Sequence, residues 1–384
     1  MRIIAFYLPQ FHEFPENNEW WGKGFTEWTN TRKAMPLFRG HYQPHIPYQN
    51  NYYDLSDTET MNKQIIDAKK YGVYGFCFYH YWFKNGKMLM EKPVEDFLAN
   101  KNLDIKFCLS WANEPWTRAW DGENKQVLMP QDYGPEKEWI KHFDYILPFL
   151  KDKRYINIDD APVFLIYRPE SIPNLDQMLS CWKSKAKESG LKGITFIAQG
   201  SYFCVKNKNV KSHNIFNYLV MYEPGYTLQV CHNLSYLIKN ILISPQLYLK
   251  VLQNAILKRL KSKTSYFNDM LIKFNYDVIY HNILSRHINN PNIIPGAFTG
   301  WDNTARRGVN ARIVVGSTPE KFYKYMVRLI AKSRDEYKHD IIFIDAWNEW
   351  AEGAHLEPDE KYGYGYLEAL KKALIDNNEF PIGG

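Results

Sequence analysis

Residues 340–353 read DIIFIDAWNEWAEG, and this stretch decides how the chain folds. An apolar run from Ile341 to Ile344 passes, with no turn residue between, into Trp347, Asn348, Glu349, Trp350 and Glu352. A short continuous apolar run suits a strand covered on both faces. The question it raises is why such a strand ends on two carboxylates three residues apart among indole rings.

Seven similar runs precede it. They span 2–8, 72–80, 105–112, 162–168, 194–199, 217–222 and 293–299, with 340–347 as the eighth. Helical patterns lie between many of them, at 57–71, 136–150, 174–189, 318–336 and 362–376. In the first, Met61, Ile65 and Ala68 share one face and Gly72 stands ready to stop it. Strand followed by helix, eight times over, predicts a (β/α)8 TIM barrel of α/β class with long βα loops. The rival is a doubly wound open sheet, which announces itself by a glycine-rich phosphate loop after its first strand. Here the first strand runs into PQFHEF (9–14), and the barrel is preferred.

Barrel enzymes place their chemistry at the C-terminal rim of the strands. Polar and aromatic residues follow seven of the eight: Gln10 and His12 beyond Tyr7, then His80 and Trp82, then Trp111, Asn113 and Glu114. Arg168, Tyr222, Trp301 with Asp302, and Asn348 to Glu352 complete the rim. Glu349 and Glu352 lie three apart, a spacing that puts both on one side of a helical turn. Two acids so close in a partly dry site ionise unequally, one held protonated while the other stays a base. Cleaving or forming an acetal needs that asymmetry, a proton for the leaving oxygen and a negative group near the cationic sugar centre. Trp347 and Trp350 are then expected as stacking surfaces.

Bulk composition narrows the class. The chain has 384 residues, 16% of them aromatic (28 Tyr, 22 Phe, 12 Trp), which suits sites for amphipathic ligands such as sugars. Its net charge of +6 is confined to one region, where Lys239, Lys250, Lys258, Arg259, Lys261, Lys263 and Lys273 face Asp269 alone. A nucleic-acid binder shows a broader basic face, so that partner is not expected. Five cysteines (77, 108, 181, 204, 231), widely spaced and with no C-x-x-C, point to a reducing compartment. With no signal-peptide pattern and no long apolar span, a cytoplasmic location is expected.

Residues 226–290 read as a basic helical insertion between the sixth and seventh strands of a single 1–384 catalytic domain. Within it, 244–263 forms a helix with Ser244 as N-cap and Pro245 at its first position. Its basic and apolar faces suit either packing on the barrel or a peripheral contact with the inner face of a membrane. His41 and His45 are four apart, but Pro44 between them argues against a helical metal pair. No metal and no cofactor is expected from the sequence.

Several long motifs resemble glycoside hydrolase family 99, the endo-α-mannosidases, and more closely the WbsX-like group associated with bacterial O-antigen and capsule genes. The motifs are FYLPQFH (6–12), WWGKGFTEWTN (20–30), HYQPHIPY (41–48), FCFYHYWF (76–83), LSWANEPWTRAWDG (109–122), IYRP (166–169), GWDNTARRG (300–308) and NEWAEG (348–353) followed by HLEPD (355–359). The resemblance implies that Glu349 takes the proton of a sugar 2-hydroxyl, which closes on the anomeric carbon. Glu352 would protonate the leaving oxygen and later activate the acceptor. It also implies an oligo- or polysaccharide substrate, α-linked and mannose-like, free or carried on a lipid. Ala351 departs from the hydrolases of that family, which carry His there.

With that substrate in view, Asn113 and Glu114 are expected to bond sugar hydroxyls, as is Asp302. Trp111 and Trp116 are candidate stacking platforms. Tyr7, His12, His80, Trp82, Arg168, Tyr222, Trp301 and Asn348 complete the substrate-binding candidates, and Trp20, Trp21, Glu27 and Trp28 wall the cleft. Two alternatives stand beside the glycosidase reading: a glycosyltransferase of surface-polysaccharide synthesis, and an inactive glycan-binding barrel.

Overall fold

The computed structural model describes residues 1–118, 123–200, 215–230, 271–288 and 290–381. Eight parallel strands form the centre: β1 (Arg2–Tyr7), β2 (Val73–His80), β3 (Lys106–Trp111), β4 (Ala161–Ile166), β5 (Thr195–Gly200), β6 (Tyr218–Met221), β7 in two pieces (Ile293–Ile294 and Gly296–Phe298) and β8 (Ile341–Asp345). Each pairs with the next from β1 to β6. Ile293–Ile294 pairs with β6, Gly296–Phe298 pairs with β8, and β8 returns to β1, so the ring closes. The barrel expected from the alternation of elements is the one found.

Closure depends on the break in β7. Pro295 supplies no N–H to the ladder, yet its carbonyl still accepts from the Phe343 amide at 3.2 Å. Next to it, a Cβ on Gly296 would lie 1.8 Å from the Met221 carbonyl oxygen, so only glycine lets β6 and β7 approach. The sequence suggested one unbroken strand over 293–299; the structure divides it at the proline.

The helices follow their expected positions closely. Thr58–Lys70 is capped by Asp57, which accepts from the Glu59 amide at 3.0 Å, and Gly72 follows it with φ of 88°. Pro319–Lys332 is capped by Thr318 and then widens into a π-turn at Ser333–Tyr337, where one continuous helix was expected. Among the helices without a forecast of their own are Lys92–Ala99 and Tyr276–Ser285. The second falls inside 226–290, and its Tyr276, Ile279 and Tyr280 are fully buried against the barrel. Residues 231–270, including the basic helix expected over 244–263, lie outside the described residues, as do Trp120 and Asp121. Among the described residues no helix is long and apolar enough to cross a membrane.

Inside the ring, aromatic side chains fill the barrel. Phe6 packs on Tyr79, Tyr222 and Phe343 with centroids 5.7, 5.1 and 5.5 Å apart, drawing rings from β1, β2, the end of β6 and β8 together. This packed layer underlies the C-terminal mouth.

Candidate active site

Beyond β8 the chain turns through a small antiparallel hairpin, Asn348–Glu349 against Ala354–His355, joined by a 3-10 turn at Trp350–Glu352. A 3-10 turn has about three residues per turn, so Glu349 and Glu352 project to the same side without a full α-helix. Gly353 ends the turn with φ of 60°, and a Cβ there would crowd Asp302 at 3.0 Å. Both carboxylates line a cavity of about 260 Å³ at the barrel mouth.

A single guanidinium holds them. Arg306 donates to Glu352 Oε1 at 2.7 Å and to Glu349 Oε2 at 3.2 Å, and grips Glu27 Oε1 at 2.6 and 2.9 Å. Burial raises the Glu349 pKa to about 8; Arg306 pulls it down, and the charges of Glu352 and Glu27 push it up again. Glu27 is likewise raised by burial against the pull of Arg306. Near neutrality burial therefore favours the protonated form of Glu349.

The rest of the mouth is tyrosine-rich. Tyr79, Tyr81, Tyr167 and Tyr222 line the cavity with Leu8, Gln10, Trp21, Glu114, Trp116 and Arg307. Burial holds all four phenols well above their usual pKa, so they present neutral hydroxyls. Tyr222 donates to Asp345 Oδ1 at 3.1 Å and meets the Tyr79 hydroxyl at 3.0 Å. Asp345 is itself held protonated, chiefly by burial and then by Glu349. Gln10 is only 2% exposed, and its Nε2 has no hydrogen-bond partner among the described residues. An orphaned buried donor at a cavity wall is a natural partner for a ligand hydroxyl.

Of the expected site residues, the structure brings Glu349, Glu352, Glu114, Trp116 and Tyr222 to this cavity. Others do different work. Trp347 and Trp350, expected as stacking surfaces, are each 1% exposed and turn their indole N–H groups onto Glu357, at 3.1 and 2.7 Å. Tyr53 and Gln64 also donate to Glu357, at 2.8 and 2.6 Å. Tyr7 bonds Gln64 at 2.6 Å beneath the mouth. Asn348 clasps both backbone groups of Leu8, at 2.7 and 3.0 Å, tying the ends of β1 and β8.

His12 bonds the Pro9 carbonyl at 2.9 Å and is buried. His80 meets His142 at 2.7 Å, with Trp82 stacked on His142 at 4.5 Å and Trp111 bonded to the Trp82 carbonyl. Burial lowers His80 to about 3, so this cluster is neutral packing beside the barrel wall. Asn113 binds both backbone groups of Arg168, at 2.7 and 2.8 Å, and braces the loop after β4. Arg168 pairs with Glu114 at 3.3 Å and Glu170 at 3.2 Å.

Trp301 and Asp302 lie outside the cavity in a short strand against Arg312–Val315. Asp302 accepts from the Thr304 amide and hydroxyl at 3.0 and 2.6 Å, opening the helical turn Thr304–Arg307 that presents Arg306. His41 donates to its other oxygen at 2.6 Å. Asp302 thus acts on the site through Arg306. Of the walls expected in the first loop, Trp21 lines the cavity and Trp28 is buried, bonded to the Tyr53 carbonyl.

Arg306, Tyr79, Tyr81 and Tyr167 are among the cavity residues that the sequence reading did not assign to the site, and Gln10 was named only as a rim residue. Arg306 lay within a quoted motif, but its partners Glu27 and Glu349 are 279 and 43 residues away, beyond any spacing rule.

Comparison with known proteins agrees with this architecture. Two curated relatives, both described as uncharacterized protein WxcX from strains of Xanthomonas campestris pv. campestris, are 32% identical over 374 residues. That is 97% of this chain, and the chain spans about half (49%) of their length. Among solved structures, the GH99 endo-alpha-mannosidase from Bacteroides thetaiotaomicron superposes with a TM-score of 0.51 at 14% identity, covering 99% of this chain and 97% of that one. A glycoside hydrolase-like protein gives 0.52 at 13% identity, covering 100% of this chain and 94% of that one. At such identities the likeness is one of fold. The family model described as Glycosyltransferase WbsX matches residues 3–370, and the chain belongs to that family.

Proposed function

We propose that this protein is a carbohydrate-active enzyme that cleaves or transfers at α-linked, mannose-like glycosidic bonds, with Glu349 and Glu352 as its catalytic pair. The observation that carries the reading is the shared grip of Arg306 on both carboxylates at the edge of a cavity walled by neutral tyrosine hydroxyls. Membership of the WbsX family and the family 99-like barrel support the class of chemistry.

In the proposed sequence the reacting form is the one in which Glu349 has lost its proton and Glu352 holds one, and the ionised Glu349 removes the proton of the sugar 2-hydroxyl. The freed oxygen closes on C1 as the C1–O bond to the leaving group breaks, and Glu352 gives its proton to the departing oxygen. A 1,2-anhydro sugar results. Water or an acceptor hydroxyl then yields its proton to Glu352 and attacks C1 as the C1–O2 bond opens, and Glu349 returns its proton to O2. A base with a raised pKa is better matched to a sugar hydroxyl than an ordinary carboxylate. Gln10 and the tyrosines are proposed to hold ring hydroxyls, and Trp116 to stack on a sugar face.

Transfer to a hydroxyl acceptor, in the synthesis of a bacterial surface polysaccharide, is the second reading, favoured by the description of the family. Incubating the protein with α-mannosyl fluoride or a lipid-linked oligosaccharide, with and without an added acceptor, separates the two. Free sugar as sole product means hydrolysis, and a product that requires acceptor means transfer. No turnover in either arm removes the enzymatic proposal and leaves a glycan-binding barrel. The peripheral membrane contact proposed for 244–263 is checked by flotation with anionic and neutral vesicles, and fails if deleting the segment changes nothing.

A further inference from the structure

A second cavity, about 160 Å³, is lined by Gly353 and His355 of the hairpin that carries Glu349 and Glu352. On its wall stand His45, His355 and Asp359, all buried, with one ligating atom from each within 4.8 Å of the others. We propose that these three residues form a binding site for a divalent metal ion of the zinc type, which ties the 41–48 loop to the catalytic hairpin.

The donor set suits such an ion. Two imidazoles and one carboxylate leave positions open for water, as in three-ligand zinc sites. The His355 ring is preset. Its Nδ1 lies 2.9 Å from the Glu357 carbonyl oxygen, which can only accept, so the proton sits there and Nε2 keeps its lone pair. A backbone carbonyl on the outer nitrogen is the usual way a ligating histidine is oriented. Trp350 stacks on the same ring at 3.8 Å and 14°, fixing its plane. His45 Nδ1 approaches that lone pair at 2.9 Å. Two nitrogens on a tetrahedral ion with bonds of about 2.0–2.1 Å stand about 3.4 Å apart. The rings therefore need to part by only about half an ångström, with the His45 proton moving to Nε2.

Charge argues the same way. Asp359 is 2% exposed, and among the described residues it has no ion pair with lysine or arginine. It accepts from the Tyr362 amide at 2.6 Å and from Tyr42 at a long 3.4 Å. Lys361, whose ammonium rests 4.4 Å from the Tyr42 ring centre on the same cavity, is a like charge an ion must tolerate there. Local sequence disfavours a metal because Pro44 breaks the His41–His45 spacing. The site arises instead from His45 meeting two residues 310 and 314 positions further on.

The test is metal titration of the full chain after treatment with a chelator. Calorimetry with Zn2+ should give one equivalent, and Co2+ should give the visible absorption of a four-coordinate N/O site. His45→Gln and Asp359→Asn should each weaken Zn2+ at least tenfold, and Lys361→Met should tighten it. Zn2+ should also raise the melting temperature of the parent, reversed by EDTA. Absence of stoichiometric heat and of a Co2+ band in the parent would overturn the proposal without recourse to any variant. Equal affinity in a folded His45→Gln or Asp359→Asn protein would do the same. None of these readouts depends on glycan turnover, so this site and the catalytic reading stand or fall separately.

Discussion

Arg306 sits 2.7 Å from Glu352 and reaches Glu27 on its other side, so one cation serves three acids, two from the hairpin after β8 and one from the first loop. Lysine presents a point charge and cannot bridge in this planar way. Arg306→Lys should therefore lower kcat by about 100-fold or more, as expected when catalytic groups lose their positioning. Arg306→Ala should also destabilise the fold by about 3–5 kcal/mol, the usual cost of stripping one partner from a buried charge cluster. Steady-state rates and urea melts check the two parts; a Lys variant with parental kcat would remove Arg306 from the mechanism.

The raised pKa of Glu349 fixes the sign of the pH dependence. As a base it must be ionised, so kcat/KM should climb with pH through about 8. If Glu349 were instead the acid, activity would fall over that range, and a pH–rate profile decides between them. Glu349→Gln should abolish turnover under either assignment.

The same group shapes stability. Its folded pKa of about 8 stands above the ordinary 4.5, so the folded protein keeps a proton that the unfolded chain has already released. That contribution is complete below about 4.5 and is lost as pH rises through about 8. Melts of the parent should thus weaken from pH 5 towards about 8. Glu349→Gln should flatten the slope in part, since Glu357, raised to about 7 mainly by burial, titrates in the same window.

Trp116 and the Trp347–Trp350 pair should separate cleanly. Trp116→Ala should raise KM about tenfold, the loss of a stacking surface worth about 1–1.5 kcal/mol. Trp350→Phe removes a donor 2.7 Å from the buried Glu357 carboxylate. It should destabilise by about 1–3 kcal/mol with little change in KM. Kinetics and denaturation on the same preparations test both.

Gly296→Ala should fail to close the barrel, because the new methyl group meets the Met221 carbonyl. A loss on the order of 3 kcal/mol is expected from overpacking. Soluble yield and urea unfolding measure it, and a parental melt would mean that the β6–β7 contact is not essential.

The sequence by itself determined the barrel and the rim at which Glu349 and Glu352 emerge. Buried parallel strands must be apolar on both faces, so Ile341–Ile344 and its seven counterparts could be read without coordinates, as could the stop of the first helix at Gly72. The carboxylate pair was legible for a similar reason, since Glu349 and Glu352 are local neighbours at a strand end. Only the tertiary structure decided which rim residues face the cavity. Direction at a strand end depends on partners far along the chain, as Trp347 and Trp350 show by turning to Glu357. The same holds for Asp302, which turned from a sugar ligand into the support of Arg306, and for the three-acid clamp itself. Interactions within one turn follow from spacing, while those across the barrel mouth exist only after β8 has paired with β1 and brought distant loops together.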